Sequence, residues 1–183
     1  LDRAARVELA VPWQDAEWTG LLQGEPASTA RQGFADPQIR MAINLLGGPP
    51  LRREDFAAYR ASHPAETIVG AALTVQAPLG EYYEDKLLNL GENRFAIRPE
   101  LGIERRQGKW LMELTGHVSF FTENDEFWKG NVREQDPLFT CQGIVSYTFM
   151  PGLWIGTGLG RGFGGESSIN GTEKDDARNN LLV

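Results

Sequence analysis

Nine ionisable residues carry the chemistry this chain could do: Arg6, Glu8, Arg40, Arg94, Arg98, Glu100, Glu104, Glu113 and His117. Glu100, Glu104 and Glu113 are carboxylates that acid–base catalysis could use. The arginines near them favour ion pairing instead, because opposite charges facing each other across paired strands stabilise one another. Such charges can fill the interior of a β structure. They can equally line a pathway and select a polar or anionic solute. His117 has no second histidine near it, and His63 stands just before Pro64, so the two make no metal site. No Gly-x-Ser-x-Gly elbow suggests a hydrolase. Gly156, Gly158, Gly160 and Gly162 invite a phosphate-loop reading, but that motif needs a helix after it, and here a polar, Gly-rich stretch follows. Glycine inside a strand marks tight curvature or the close approach of something bulky, such as a plug segment or a large neighbouring side chain. The acids Asp125 and Glu126, preceded by Asn124, and Asp175-Asp176 lack the spacing of a calcium loop. The sequence assigns no catalytic residue, metal or cofactor.

The elements that position these residues show a period of two. In Arg94 to Arg105, the residues Phe95, Ile97, Leu101 and Ile103 share one face; Arg94, Arg98, Glu100 and Glu104 share the other. The same alternation predicts strands over Arg3–Val11, Pro37–Leu46, Thr67–Pro78, Trp110–Thr122, Leu138–Phe149 and Leu153–Phe163. Leu181-Leu182-Val183 reads as the start of an eighth. Arg52–Ala61 reads as a short helix, with Phe56 and Tyr59 on one face and Glu54 and Asp55 in its first turn.

The connections then run long, helical, long, tight, long, tight, long. Pro12–Asp36, Leu79–Asn93, Glu123–Pro137 and Gly164–Asn180 are polar loops; Arg106–Lys109 and Met150–Gly152 are tight turns. Outer-membrane barrels have short periplasmic turns and longer outer loops. The fold expected is therefore all-β: an antiparallel up-and-down transmembrane β-barrel with one short helix in a periplasmic connection. Residues 1–183 make one domain. Seven strands and the start of an eighth do not close a barrel easily, and an open edge in lipid leaves backbone groups unpaired. The chain is thus expected to be part of a longer barrel.

Composition allows this. With 183 residues, 41% of them hydrophobic, the chain can form an ordered domain. A net charge of −7 without a basic cluster argues against nucleic acid as a partner. No apolar run approaches the length of a membrane helix. A mean hydropathy of −0.35 is compatible with alternating barrel strands. The lone Cys141 forms no internal disulfide and reads as a small apolar residue. Trp110, Tyr147, Phe149, Leu153 and Trp154 cluster near the tight turns, and Phe120, Phe121 and Phe139 near the outer loops, as two interfacial girdles would.

Several segments resemble one family. They are Gly33-Phe34-Ala35-Asp36-Pro37, Gly47-Gly48-Pro49-Pro50 followed by Asp55-Phe56, Ala77-Pro78-Leu79-Gly80-Glu81-Tyr82, Leu88-Asn89-Leu90-Gly91-Glu92-Asn93-Arg94, Gln135-Asp136-Pro137 and Gly164-Gly165. In order and content they resemble the outer-membrane proteins named for the meta-pathway of phenol degradation. The resemblance implies a Gram-negative outer-membrane β-barrel, a porin-like transporter, and a link to aromatic catabolism. It brings no catalytic residues. The function expected is a channel for passive uptake of small solutes, with aromatic ones as one candidate class. Its partners would be the lipid bilayer, or detergent, and a small solute; the oligomeric state is not legible. The alternative is a soluble all-β ligand-binding protein whose apolar faces form a core.

Overall fold

The computed structural model of the chain describes residues 3–22 and 24–182. The elements are β1 (Ala5–Ala10), β2 (Trp13–Leu22), β3 (Glu25–Phe34), β4 (Gln38–Leu46), α1 (Phe56–Ser62), β5 (Ala65–Gln76), β6 (Ala96–Gln107), β7 (Trp110–Phe121), β8 (Asn124–Phe127), β9 (Asn131–Gln135), β10 (Leu138–Met150), β11 (Leu153–Gly164), β12 (Ser167–Ile169), β13 (Thr172–Glu173) and β14 (Arg178–Leu182). Eight strands form one antiparallel sheet in the order β1-β4-β5-β6-β7-β10-β11-β14. β1 and β14 are its two edges. A hairpin of β2 and β3 and a four-stranded sheet, β13-β12-β9-β8, complete the structure.

The register explains the sheet. Leu9 pairs with Ile39, Ile39 with Val75, Val75 with Ile97, and Ile97 with Phe120. Alternation in each strand thus becomes a continuous apolar face across all of them. That face is exposed: Val7 keeps 68% of its surface, Leu101 63% and Leu114 53%. Along β6 every polar-phase residue from Arg98 to Arg106 is half-buried, while Ile97, Leu101 and Ile103 are exposed. Among the described residues only Ala35, Leu90 and Ala96 are buried apolar side chains. A soluble sandwich would bury the apolar rows in a core. An exposed apolar face of this extent belongs against lipid. The strands β5, β6, β7, β10 and β11 have 12 or 13 residues, enough to cross a bilayer when tilted. No helix is long and apolar enough to cross one.

The short connections share one end. Gln107 pairs with Trp110 around Gly108, and Met150 pairs with Leu153 around Pro151-Gly152. The N–H of Gly108 donates to Pro64 O at 2.7 Å, and that of Thr148 to Lys109 O at 2.9 Å. The segment carrying α1 therefore ends beside the first tight turn, at the same end of the sheet as the second. The helix is shorter than the pattern predicts. It begins at Phe56, with Asp55 at its N-cap, so neither Glu54 nor Asp55 lies in its first turn. Phe56 is exposed and sits under the Arg60 guanidinium rather than against the sheet. Tyr59 does reach the sheet: its hydroxyl donates to Glu66 at 2.7 Å.

The long connections are not plain loops. Pro12–Asp36 contains a ten-pair hairpin from Trp13–Phe34 to Leu22–Glu25. Glu123–Pro137 and Gly164–Asn180 supply β8, β9, β12 and β13 to one small sheet. The strand expected from Arg94 starts instead at Ala96. The last strand starts at Arg178, three residues before the pattern suggests; Val183 lies outside the described residues.

Candidate functional site

The polar face of the eight-stranded sheet collects most of the expected charges. Glu8, Arg40, Thr74 and Arg98 are successive register partners. Arg40 donates to Glu8 at 3.2 Å and to Glu100 at 2.6 Å. Arg6, largely exposed, lies 3.4 Å from the other Glu8 oxygen. Arg98 donates from Nε to Ser119 Oγ at 3.2 Å. Glu104 accepts from Arg106 at 2.8 Å, and Arg106 also lies 3.6 Å from Glu66. Glu113 stands opposite Glu104, and His117 opposite Glu100. Among the described residues neither Glu113 nor His117 has a salt bridge or a side-chain hydrogen bond. Arg6, Glu8, Arg40 and Glu100 thus pair with one another, Arg98 and Glu104 bond Ser119 and Arg106, which sequence reasoning did not single out, and among the described residues no two of the expected charges pair across β6 and β7.

The charged half of this face gives way to a small-residue half on β11. Gly156, Gly158, Gly160 and Gly162 pair with Ser146, Ile144, Gln142 and Thr140. A Cβ at Gly158 would stand 3.2 Å from Ile144 Cγ1, and one at Gly156 would stand 3.0 Å from Ser146 Cβ. The glycines therefore let the neighbouring strand's side chains lie flat across them. A groove of about 690 Å³ runs over this row, lined by Glu113, Gln142, Ile144 and Trp154 among others.

Arg94 belongs elsewhere. It is buried in a bend before β6, beneath the small outer sheet. Its guanidinium bonds Glu92 and Gln135 Oε1, the latter at 2.6 Å, and lies 4.4 Å from the Phe121 ring centroid. Its Nη1 is buried without a partner. Arg133, half-buried nearby on β9, has its pKa pulled down by burial and by the Arg94 charge, against the opposing effect of Glu92.

Here the sequence segments that looked like scattered turn motifs converge. Asp36 is buried and accepts from Gly80 N at 2.9 Å, Glu92 N at 2.8 Å and Gln76 Nε2 at 3.3 Å. A Cβ at Gly80 would lie 2.6 Å from the Asp36 nitrogen, so only glycine permits this approach. Glu81 N donates to Phe34 O, and Gly91 N to Glu81 O. Gln135 Nε2 donates to Gly165 O at 2.8 Å, and Gly165 N to Pro137 O at 3.1 Å. Five of the six segments thus form one knot over the outer end of the sheet. The sixth, Gly47-Gly48-Pro49-Pro50, lies at the other end, where Gly48 N and Tyr59 both bond Glu66. Motif reading included Asp36 but gave it no role; its role is to hold this knot together.

Aromatic side chains mark both ends of the apolar face. Trp110, Tyr147 and Phe149 form one chain of edge contacts, with centroids 4.9 and 5.0 Å apart. At the other end Phe139 stacks on Phe163 at 5.2 Å, and Trp13 meets Phe34 at 4.9 Å. These are the positions of interfacial girdles. Among curated proteins none matches this chain in sequence. Among solved structures it is similar to the crystal structure of an outer membrane channel from Pseudomonas putida F1. That similarity has a TM-score of 0.75 and 25% identity, over 98% of this chain and 61% of that one. The chain therefore spans less than two thirds of that channel's length. The inverted surface, the girdles and this likeness place the protein in the bacterial outer membrane. A family model matches residues 5–182, and the chain belongs to the family described as "Putative MetA-pathway of phenol degradation".

Proposed function

We propose that this protein forms wall of an outer-membrane channel through which small solutes, aromatic ones among them, pass without energy input. The sheet is one domain and part of a larger barrel. Its polar face, with Arg6, Glu8, Arg40, Arg98, Glu100, Glu104, Glu113 and His117, lines the lumen, and Arg94 ties the outer knot above it. One observation carries the reading: on β4, β6 and β7 apolar rows are exposed while Arg40, Arg98, Glu100, Glu104, Glu113 and His117 opposite them are half-buried. A soluble binding protein has the reverse arrangement. Among the described residues β1 and β14 are each paired on one side only, which supports continuation of the wall, since lipid does not satisfy free backbone groups. The groove over the glycine row supports an open path beside the charged half. On this reading the face acts on its solute by selection, through the charges that line it.

Planar-bilayer conductance of the full-length protein tests this. The wild type should conduct, and the double variant Arg40→Gln, Arg98→Gln should shift the reversal potential towards cations while the folded form still shows heat-modifiable migration. A folded protein that does not conduct would reject the channel. An unshifted reversal potential would leave the barrel and remove the selectivity role.

A further inference from the structure

We propose that the outer cleft between the β2–β3 hairpin and the tip of the β8–β9 hairpin captures a single-ring aromatic carboxylate before passage, an inference that rests on the channel reading. The cleft encloses about 580 Å³, with Trp18, Leu88 and Trp128 as apolar walls and Arg31, Lys86 and Lys129 around them. That volume is within the range of small-molecule sites. Both indoles are half-buried; the Lys129 ammonium lies 5.3 Å from the Trp128 ring centroid, and the Arg31 guanidinium 5.8 Å from that of Tyr83, so cations and aromatic rings stand side by side.

Charge selects the head group. Lys86 pairs with Asp85 at 2.8 Å. Among the described residues, Arg31 and Lys129 have no carboxylate within ion-pair distance. Arg31 donates from Nη1 to Thr29 Oγ1 and Ala30 O, and its Nε is buried without an acceptor. A buried donor without a partner carries a desolvation penalty that an incoming carboxylate relieves. A neutral ring would leave both cations as they are.

The backbone is bent to present this set. Trp128 and Lys129 have φ of 34° and 68°, in the left-handed region that side-chain-bearing residues disfavour. The bend is held by Lys129 N donating to Glu84 O at 2.7 Å and Asn131 Nδ2 donating to Trp128 O at 2.5 Å. Left-handed φ at consecutive residues is what a tight hairpin turn requires, and this turn carries Trp128 and Lys129 to the cleft wall.

Titration calorimetry of the full-length protein in nanodiscs, with sodium benzoate, benzyl alcohol and sodium acetate, tests the assignment. Benzoate should bind at least about tenfold more tightly than either of the others. Arg31→Gln and Trp128→Leu should each weaken benzoate by about tenfold, and Arg31→Lys should restore most of the loss. Equal binding of benzyl alcohol, or wild-type affinity in folded Arg31→Gln and Trp128→Leu, would overturn the proposal. Lys129→Gln and Trp18→Leu repeat the test where a first variant does not fold. Conductance separates the two readings. A conducting protein that ignores benzoate removes the cleft and keeps the channel; one that binds benzoate without conducting keeps the cleft and removes the channel.

Discussion

Arg40 and Glu100 meet at 2.6 Å although strand β5 runs between their own strands. Neighbouring strands lie about 4.8 Å apart, so the pair bridges two spacings. It can do so because the polar-phase residues it passes on β5 are both short: Thr74, opposite Arg40, and Ala72, opposite Glu100. A larger side chain there would block the reach. Both partners are about a quarter exposed, which places the pair between a surface and a buried ion pair.

Removing this bridge should cost stability on a modest scale. Arg40→Ala leaves Glu100 without its cation and Glu8 with Arg6 alone, and we expect a loss of about 1–2 kcal/mol, between the surface and buried limits. Ala72→Leu should lose a similar amount while both charges remain. Urea unfolding in lipid vesicles measures both. An Ala72→Leu protein as stable as wild type would show that the intervening side chain does not control the pair.

Asp36 should govern the outer knot. Its carboxylate satisfies two backbone N–H groups and one side-chain amide, and Asp36→Ala strands all of them in a buried place. Unsatisfied buried groups cost about 1–3 kcal/mol each, part of which water recovers as the loop opens. The expected outcome is protease cleavage within residues 79–93 with the eight-stranded sheet intact. Cleavage in the sheet at the same rate would show that the knot has no independent stability.

The eight-stranded sheet was legible because its rule is local. Leu101 and Ile103 alternate with Glu100 and Glu104, and nothing but the period of two is needed to place them. The polarity of the faces followed from the connections. The outer hairpin was not legible, because β2 and β3 stand largely free as a ribbon; Trp13, Ala16, Trp18 and Leu21 need no single period. The knot was hidden for another reason. Asp36 finds Gly80 and Glu92 at separations of 44 and 56 residues, which no turn rule spans. Arg94 shares the phase of Arg98 and so read as part of a strand. The signal against that was Asn93, which has φ of 52° and turns the chain before Ala96.

The apolar face makes a prediction of its own. Leu114 is 53% exposed among apolar neighbours, with Ile103 across one strand and Gly143 across the other. Leu114→Arg should destabilise the protein by about 2–4 kcal/mol if the site lies near the membrane midplane, and less towards either interface. Leu114→Ala should change little by comparison, because no packed core surrounds it. Reversible unfolding from phospholipid vesicles gives both values. A Leu114→Arg protein that folds as well as wild type would remove lipid contact from this face.

The outer sheet should loosen in acid through Asp176. Ser167, at the start of β12, donates its hydroxyl to Asp176 Oδ2 at 2.6 Å and its N–H to Oδ1 at 2.7 Å. These two bonds, the hydroxyl first, hold the carboxyl below its usual pKa. A depressed folded pKa stabilises the folded form fully above the unfolded carboxylate value of about 3.9, and that stabilisation is lost as pH falls through the folded value. Residues 166–176 should therefore lose protection against hydrogen exchange below about pH 4, after correction for the intrinsic rate, before the eight-stranded sheet does. Ser167→Ala removes the hydroxyl bond, raises the Asp176 pKa towards its ordinary value and should move the loosening to higher pH. Asp176→Asn should abolish the pH dependence of this segment. A midpoint that stays in place in Ser167→Ala would assign the acid response to another carboxylate.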